Sequence, residues 1–160
     1  MSKRADALAE RVLQGAQALA ALAEDLSDSE WQTVISDEGR SIGVIVHHVA
    51  SMYPAEVDLA RLLASGKSIE GVTHEAVDQM NAEHAQAFAT VSQRETLELL
   101  RRNSNAAAEA IRQFSEEELD QAAPISLNAD APLTAQFFIE DHALRHSFHH
   151  LSNIRAALNR

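Results

Sequence analysis

Eight histidines stand out in this 160-residue chain because four of them, His142, His146, His149 and His150, crowd into one short stretch. A second pair, His47 and His48, lies far upstream, and His74 and His84 are scattered between. Histidine is the commonest protein metal ligand, through a neutral imidazole nitrogen. On a helix, residues four apart share a face, with Cβ atoms about 5–6 Å apart. Two imidazoles so placed can converge on one ion at metal–nitrogen distances of about 2.1 Å. His142/His146 and His146/His150 both have that spacing. The chain has no cysteine, which excludes thiolate metal sites, disulfides and a cysteine nucleophile.

A helical wheel chooses among the eight. At roughly 100° per residue, Ile139, Ala143, His146, His150, Ile154 and Ala157 fall in one narrow arc. His146 and His150 therefore sit in the middle of an apolar stripe, with His142 and His149 on its flank. On the upstream helix His48 falls with Ile45, Val49 and Met52, whereas His47 projects with Arg40, Ser51 and Asp58 on a solvent-like face. Burying a polar ring is costly unless it finds a partner, and one shared divalent ion satisfies all three rings at once. A lone core-facing histidine is better explained by an ordinary hydrogen bond or a wet cavity. A pair four apart joined by a third on another helix favours metal. The expected ligands are His48, His146 and His150, with His142 and His47 as alternates. Glu56, on the apolar stripe about two turns beyond His48, and His149 are the candidates for acid–base work.

Two familiar sites are excluded. A zincin needs Glu directly after its first His, and Ser147 stands there. A ferritin-like di-iron site needs Glu-x-x-His pairs, and none occurs. Three neutral ligands leave coordination positions open for water or substrate, as in catalytic sites. Spacing does not choose among zinc, nickel, copper and iron.

Long helices must position these residues. Hydrophobic residues make up 46% of the chain, while five Gly and three Pro offer few breaks. The first helix is predicted over 3–26, on Leu8, Val12, Leu19, Leu22 and Leu26. Trp31 comes next as a packing anchor between that helix and the adjoining loop, and 36–40 is expected as a polar loop. The second helix is predicted over 41–65, with Pro54 kinking it and Gly66 ending it. A crossover helix is expected over 74–89. The third core helix begins at Ser92, where Ser92-Gln93-Arg94-Glu95 has capping-box spacing. Residues 124–132 are expected to be irregular, and the last helix to run unbroken over 133–158. That helix carries a second apolar seam, Phe137, Leu144, Phe148, Leu151 and Leu158, facing a neighbour within the bundle or across a dimer. The predicted fold is all-α: one antiparallel four-helix bundle spanning 1–160, with a short crossover helix between the second and third core helices.

Charge narrows the partners. Thirteen basic residues against twenty-four acidic ones leave a formal −11, which repels phosphate backbones and anionic membrane surfaces. Neither nucleic acid nor membrane is expected as a partner. Absent cysteine and a charged, helical start point to a cytoplasmic protein.

Two stretches carry a family resemblance. Ser41-Ile42-Gly43-Val44-Ile45-Val46-His47-His48-Val49-Ala50 and His146-Ser147-Phe148-His149-His150-Leu151-Ser152-Asn153-Ile154 resemble the second-helix and last-helix segments of the DinB-like superfamily of damage-inducible and thiol-transferase-related four-helix proteins. Its histidines fall at His48, His146 and His150, the residues that the wheel selects. Leu151-Ser152-Asn153 departs from the common pattern of a basic residue, a small residue and Gln. The resemblance implies an up-down-down-up bundle, commonly a homodimer, binding zinc, nickel or iron. It also implies a small-molecule or thiol substrate for those members that transfer or isomerise thiol adducts. Three functions stay open on sequence alone: a metal-dependent transferase or hydrolase, a non-catalytic metal- or ligand-binding stress protein, and a metal-free bundle with a wet pocket.

Overall fold

The computed structural model describes residues 2–160. Four long helical segments form the body: α1 (Lys3–Glu24), α3 (Ile42–Ala64), α5 (Gln93–Arg112) and a last segment that begins as α7 (Ala135–Ile139) and ends as α8 (Arg145–Leu158). Short helices α2 (Asp28–Trp31) and α6 (Glu116–Asp120) and the crossover helix α4 (His74–Ala87) lie between them. Each long segment starts where a hydroxyl can accept an otherwise unpaired N–H. Ser2 caps Ala5, Ser41 caps Val44, Ser92 caps Glu95 and Thr134 caps Phe137.

Around the bundle the order is α1, α5, α3 and the last segment, with α1 and α3 across the diagonal. The core is made of the predicted stripes. Leu8, Val12 and Leu19 of α1 are buried with Ile45, Val49 and Leu63 of α3 and with Leu100, Ala107 and Ile111 of α5. Alanines 5, 9, 16 and 20 complete the buried face of α1. The helix α3 continues through Pro54, its first position being Ile42.

Three segments differ from expectation. Residues 36–40 are not simply a loop: β1 (Val34–Ile35) pairs antiparallel with β2 (Arg40–Ser41), turning on Gly39 with φ +67°. Residues 124–132 lie within a hairpin of β3 (Ala122–Ile125) and β4 (Ala131–Thr134). Ile69 bonds to both sides of Pro124–Ser126, and the Ser126 hydroxyl bridges the N–H and C=O of Val72. This pairing of distant segments gave no periodic signal. Finally, the last helix is not uniform. Residues 140–144 form a π-turn in which the N–H of Arg145 reaches the carbonyl of Glu140, five residues back. Such turns recur at functional sites, and this one carries Asp141 and His142. Among the described residues no helix is long and apolar enough to cross a membrane.

Candidate metal centre

His48 comes from α3, and His146 and His150 from successive turns of α8. One ring nitrogen from each lies within 4.8 Å of the other two. The ring centroids are 4.9 Å apart for His48 and His146, 4.8 Å for His146 and His150, and 5.9 Å for His48 and His150. Burial, and next the neighbouring His146, lowers His48 to about 3. The same two causes lower His150 further still. Both rings are thus held neutral, the form that ligates a cation.

Carboxylates stand behind two of the rings. Glu56 Oε1 is 3.3 Å from His146 Nδ1, and Glu38 Oε1 is 3.5 Å from His150 Nδ1. The His150 Nδ1 is buried without a hydrogen-bond partner, so Glu38 stands close to that ring without bonding to it. Carboxylates so placed are the partners that orient ligating imidazoles in metal sites. Glu38 is itself held, accepting from Arg40 Nη2 at 2.7 Å and from Asn153 Nδ2 at 3.4 Å. Glu56 Oε2 is buried without a partner. Three imidazoles with two carboxylates behind them form a donor set that suits a divalent ion.

The remaining sequence candidates fall elsewhere. His142 stacks on Phe138 with centroids 4.2 Å apart and lies 3.7 Å from Asp141, outside the three-nitrogen group. His149 is exposed, edge-on to His150, and 3.4 Å from the amide of Asn153. His47 does not face solvent: it is only 7% exposed. The crossover helix α4 covers that side of α3, so His47 Nδ1 meets His84 Nε2 at 2.8 Å and its ring stacks on Phe88. Burial lowers both of these imidazoles, His84 to about 4. Trp31 is buried against the start of α3, where Gly43 leaves room for its indole, and donates to the carbonyl of Val91.

Sequence reasoning passed over Glu38 and Arg40. Both lie on the β1–β2 turn directly before the histidine helix, and periodicity does not place turn residues. Their signal was opposite charges in a short polar segment abutting a histidine pair.

The cluster opens on a cavity of about 650 Å³, within the size range of small-molecule sites. The α3 wall runs from His48 through Met52, Ala55 and Glu56 to Leu59, a helical rise of about 16 Å. The last helix returns alongside from His150 through His146 and His142 to Phe138. Ile69, Val72, Ile125 and Leu127 close the far end, and Val77 and Met80 of α4 cover it.

The sequence profile of the DinB superfamily matches residues 11–154, and the chain belongs to that superfamily. Its fold is similar to YfiT from Bacillus subtilis, a probable metal-dependent hydrolase with an unusual four-helix bundle topology. That match has a TM-score of 0.74 and 16% identity, and covers 99% of this chain and 90% of the other. It is also similar to the mycothiol-dependent maleylpyruvate isomerase, with a TM-score of 0.69 and 14% identity over 96% of this chain and 63% of that one. At these identities the likeness carries the fold alone. No curated protein matches the chain by sequence.

Proposed function

We propose that this protein is a divalent-metal-dependent enzyme, of hydrolase or thiol-transferase type, whose ion is held by His48, His146 and His150. One observation carries the reading: two buried imidazoles and a third half-buried one, with carboxylates near two of the three, meet at the wall of a substrate-sized cavity. A bound zinc, nickel or iron ion supplies Lewis acidity there, with coordination positions left for water or substrate. With an ion bound, Glu56 and Glu38 would orient the rings of His146 and His150. The unpartnered Oε2 of Glu56 is the chain's own group for accepting a proton. That oxygen favours a reaction, by activating water or a thiol, over a stress protein that only stores a metal or ligand. His149, exposed at the rim, is the second acid–base candidate.

Metal analysis of untagged protein should return about one equivalent of divalent ion, lost in His146→Ala and His150→Ala. Metal content unchanged in both variants would refute the site. An ester, amide and thiol-transfer panel on the metal-loaded protein then assigns the reaction. Glu56→Gln should lower turnover roughly 10²–10⁴-fold. Full activity in His48→Ala sinks the metal mechanism, and no turnover across the panel leaves the binding-protein reading. The homodimer is a proposal too: Phe137 and Phe148, about two-fifths exposed, are apolar surface that a second copy can cover, and light scattering should return twice the chain mass.

A further inference from the structure

We propose that the cavity takes a medium-chain acyl compound: an unbranched apolar chain lying along α3, with its acyl oxygen received by Arg40 beside the three histidines. The inference deepens the reading above and rests on it for the reacting end and for the charge of the metal-loaded cavity.

Arg40 carries the polar half of the argument. Its side chain is 13% exposed and lines the cavity. Nη2 is engaged with Glu38 at 2.7 Å, while Nη1 is buried with no partner. A guanidinium N–H buried and unpaired is costly, and an anionic or carbonyl oxygen arriving in the cavity satisfies it with a charge-assisted bond. The charges lining the cavity agree. Arg40 and Arg145 stand against Glu38, Glu56 and Asp141, which leaves one net negative charge. A divalent ion turns that into one net positive charge. The metal-loaded cavity therefore prefers a monoanionic head and rejects a cationic one.

The apolar half comes from the other end. Beyond Glu56, cavity-lining side chains are hydrophobic on every element that meets there: Leu59 on α3, Ile69 after it, Ile125 on the hairpin and Phe138 on the last helix. Met80 lies over them on α4, two-fifths exposed, with Leu59 partly buried. Unbranched and flexible, Met80 adapts to a chain rather than to one rigid ring. A head group at Arg40 leaves Met52, Ala55 and Leu59 of the α3 wall for the chain to cover, with the Glu56 carboxylate at its reacting end.

The test is calorimetric titration of zinc-loaded and of chelator-treated protein with butanoate, octanoate and octylammonium. In the zinc-loaded form, octanoate should bind and octylammonium should not. From butanoate to octanoate, affinity should rise up to about fourfold for each methylene buried. In protein kept saturated with zinc, Arg40→Met should weaken octanoate at least tenfold, and Arg40→Lys should recover part of that. Leu59→Asn should flatten the chain-length dependence while leaving butanoate unchanged, with the circular dichroism of each variant checking its fold. Equal binding of butanoate and octanoate, octanoate binding indifferent to Arg40→Met, or no octanoate binding in either form overturns the proposal. Failure of zinc uptake with octanoate binding intact instead overturns the metal reading alone.

Discussion

Glu38 shows how a residue without a ligand's chemistry can still set a ligand's strength. It faces Nδ1 of His150 while Arg40 and Asn153 hold it from behind. Removing its charge at constant shape should loosen the ring rather than the fold. Glu38→Gln is expected to lower zinc affinity about 10–100-fold, measured by competition with a chromophoric chelator, with the thermal midpoint of the metal-free protein little changed. The histidines also predict a pH dependence for metal-free protein. Burial holds His48 and His150 neutral when folded, whereas in the unfolded chain each takes up a proton near pH 6.5. Below that pH the unfolded state binds more protons, so stability falls as pH drops from about 6.5 toward 3. By pH 5 each ring should have cost on the order of 2 kcal/mol. Denaturant titrations of chelated protein at pH 7 and pH 5 measure this, and the loss should shrink in His150→Phe.

At the scale of elements, the last helix must stay close to α1 to keep its histidines aimed at α3. Gly15 makes that approach possible. A Cβ there would lie 2.2 Å from Ser147 Oγ and 3.0 Å from the Phe148 ring, and Ser147 directly follows the ligand candidate His146. Gly15→Ala is therefore expected to cost about 1–3 kcal/mol through overpacking, and to weaken zinc binding by shifting α8. Adding Ser147→Ala should restore part of the stability, because the two changes share one contact. Equal losses in the single and double variants would show that Ser147 is not the obstacle. The π-turn belongs to this scale too. An unbroken α-helix would put Ile139 on the stripe of His146 and His150, whereas the extra residue at 140–144 brings Phe138 into line with them at the cavity wall.

For the whole molecule, the three rings tie the second turn of α3 to α8, two segments nearly a hundred residues apart. An ion that binds only the folded chain stabilises it by mass action, about 2.7 kcal/mol at a free concentration of 100 Kd. For a chain of this size, zinc at that excess should raise the melting temperature by roughly 5–10 °C. A chelator should reverse the shift, and His150→Ala should abolish it. An equal shift in that variant means that the stabilising ion sits elsewhere, for example on the His47–His84 pair.

Helical periodicity accounts for the part of this protein that could be read along the chain. Most of each stripe on α1, α3 and α5 is buried as its spacing requires, because a helix of period 3.6 can hide only one face, while Leu22 of α1 and Met52 and Leu59 of α3 stay half-buried, the last two at the cavity wall. The same arithmetic brought His48, His146 and His150 together and left His142 and His149 outside. Contacts between distant segments, in contrast, were decided only by the tertiary structure. His47 is buried because α4, a helix with no buried residue of its own, crosses its face. The β3–β4 hairpin is anchored by residues 69–72, which bond to it, and a two-residue strand such as β1 has too few positions to show alternation. Glu38 and Arg40 enter the site through a turn, where side-chain direction is set by the fold around it and not by any repeat along the chain. The three-histidine cluster was thus legible from spacing, while the carboxylate behind His150, the unpartnered Nη1 of Arg40 beside it and the apolar cavity beyond required the folded chain.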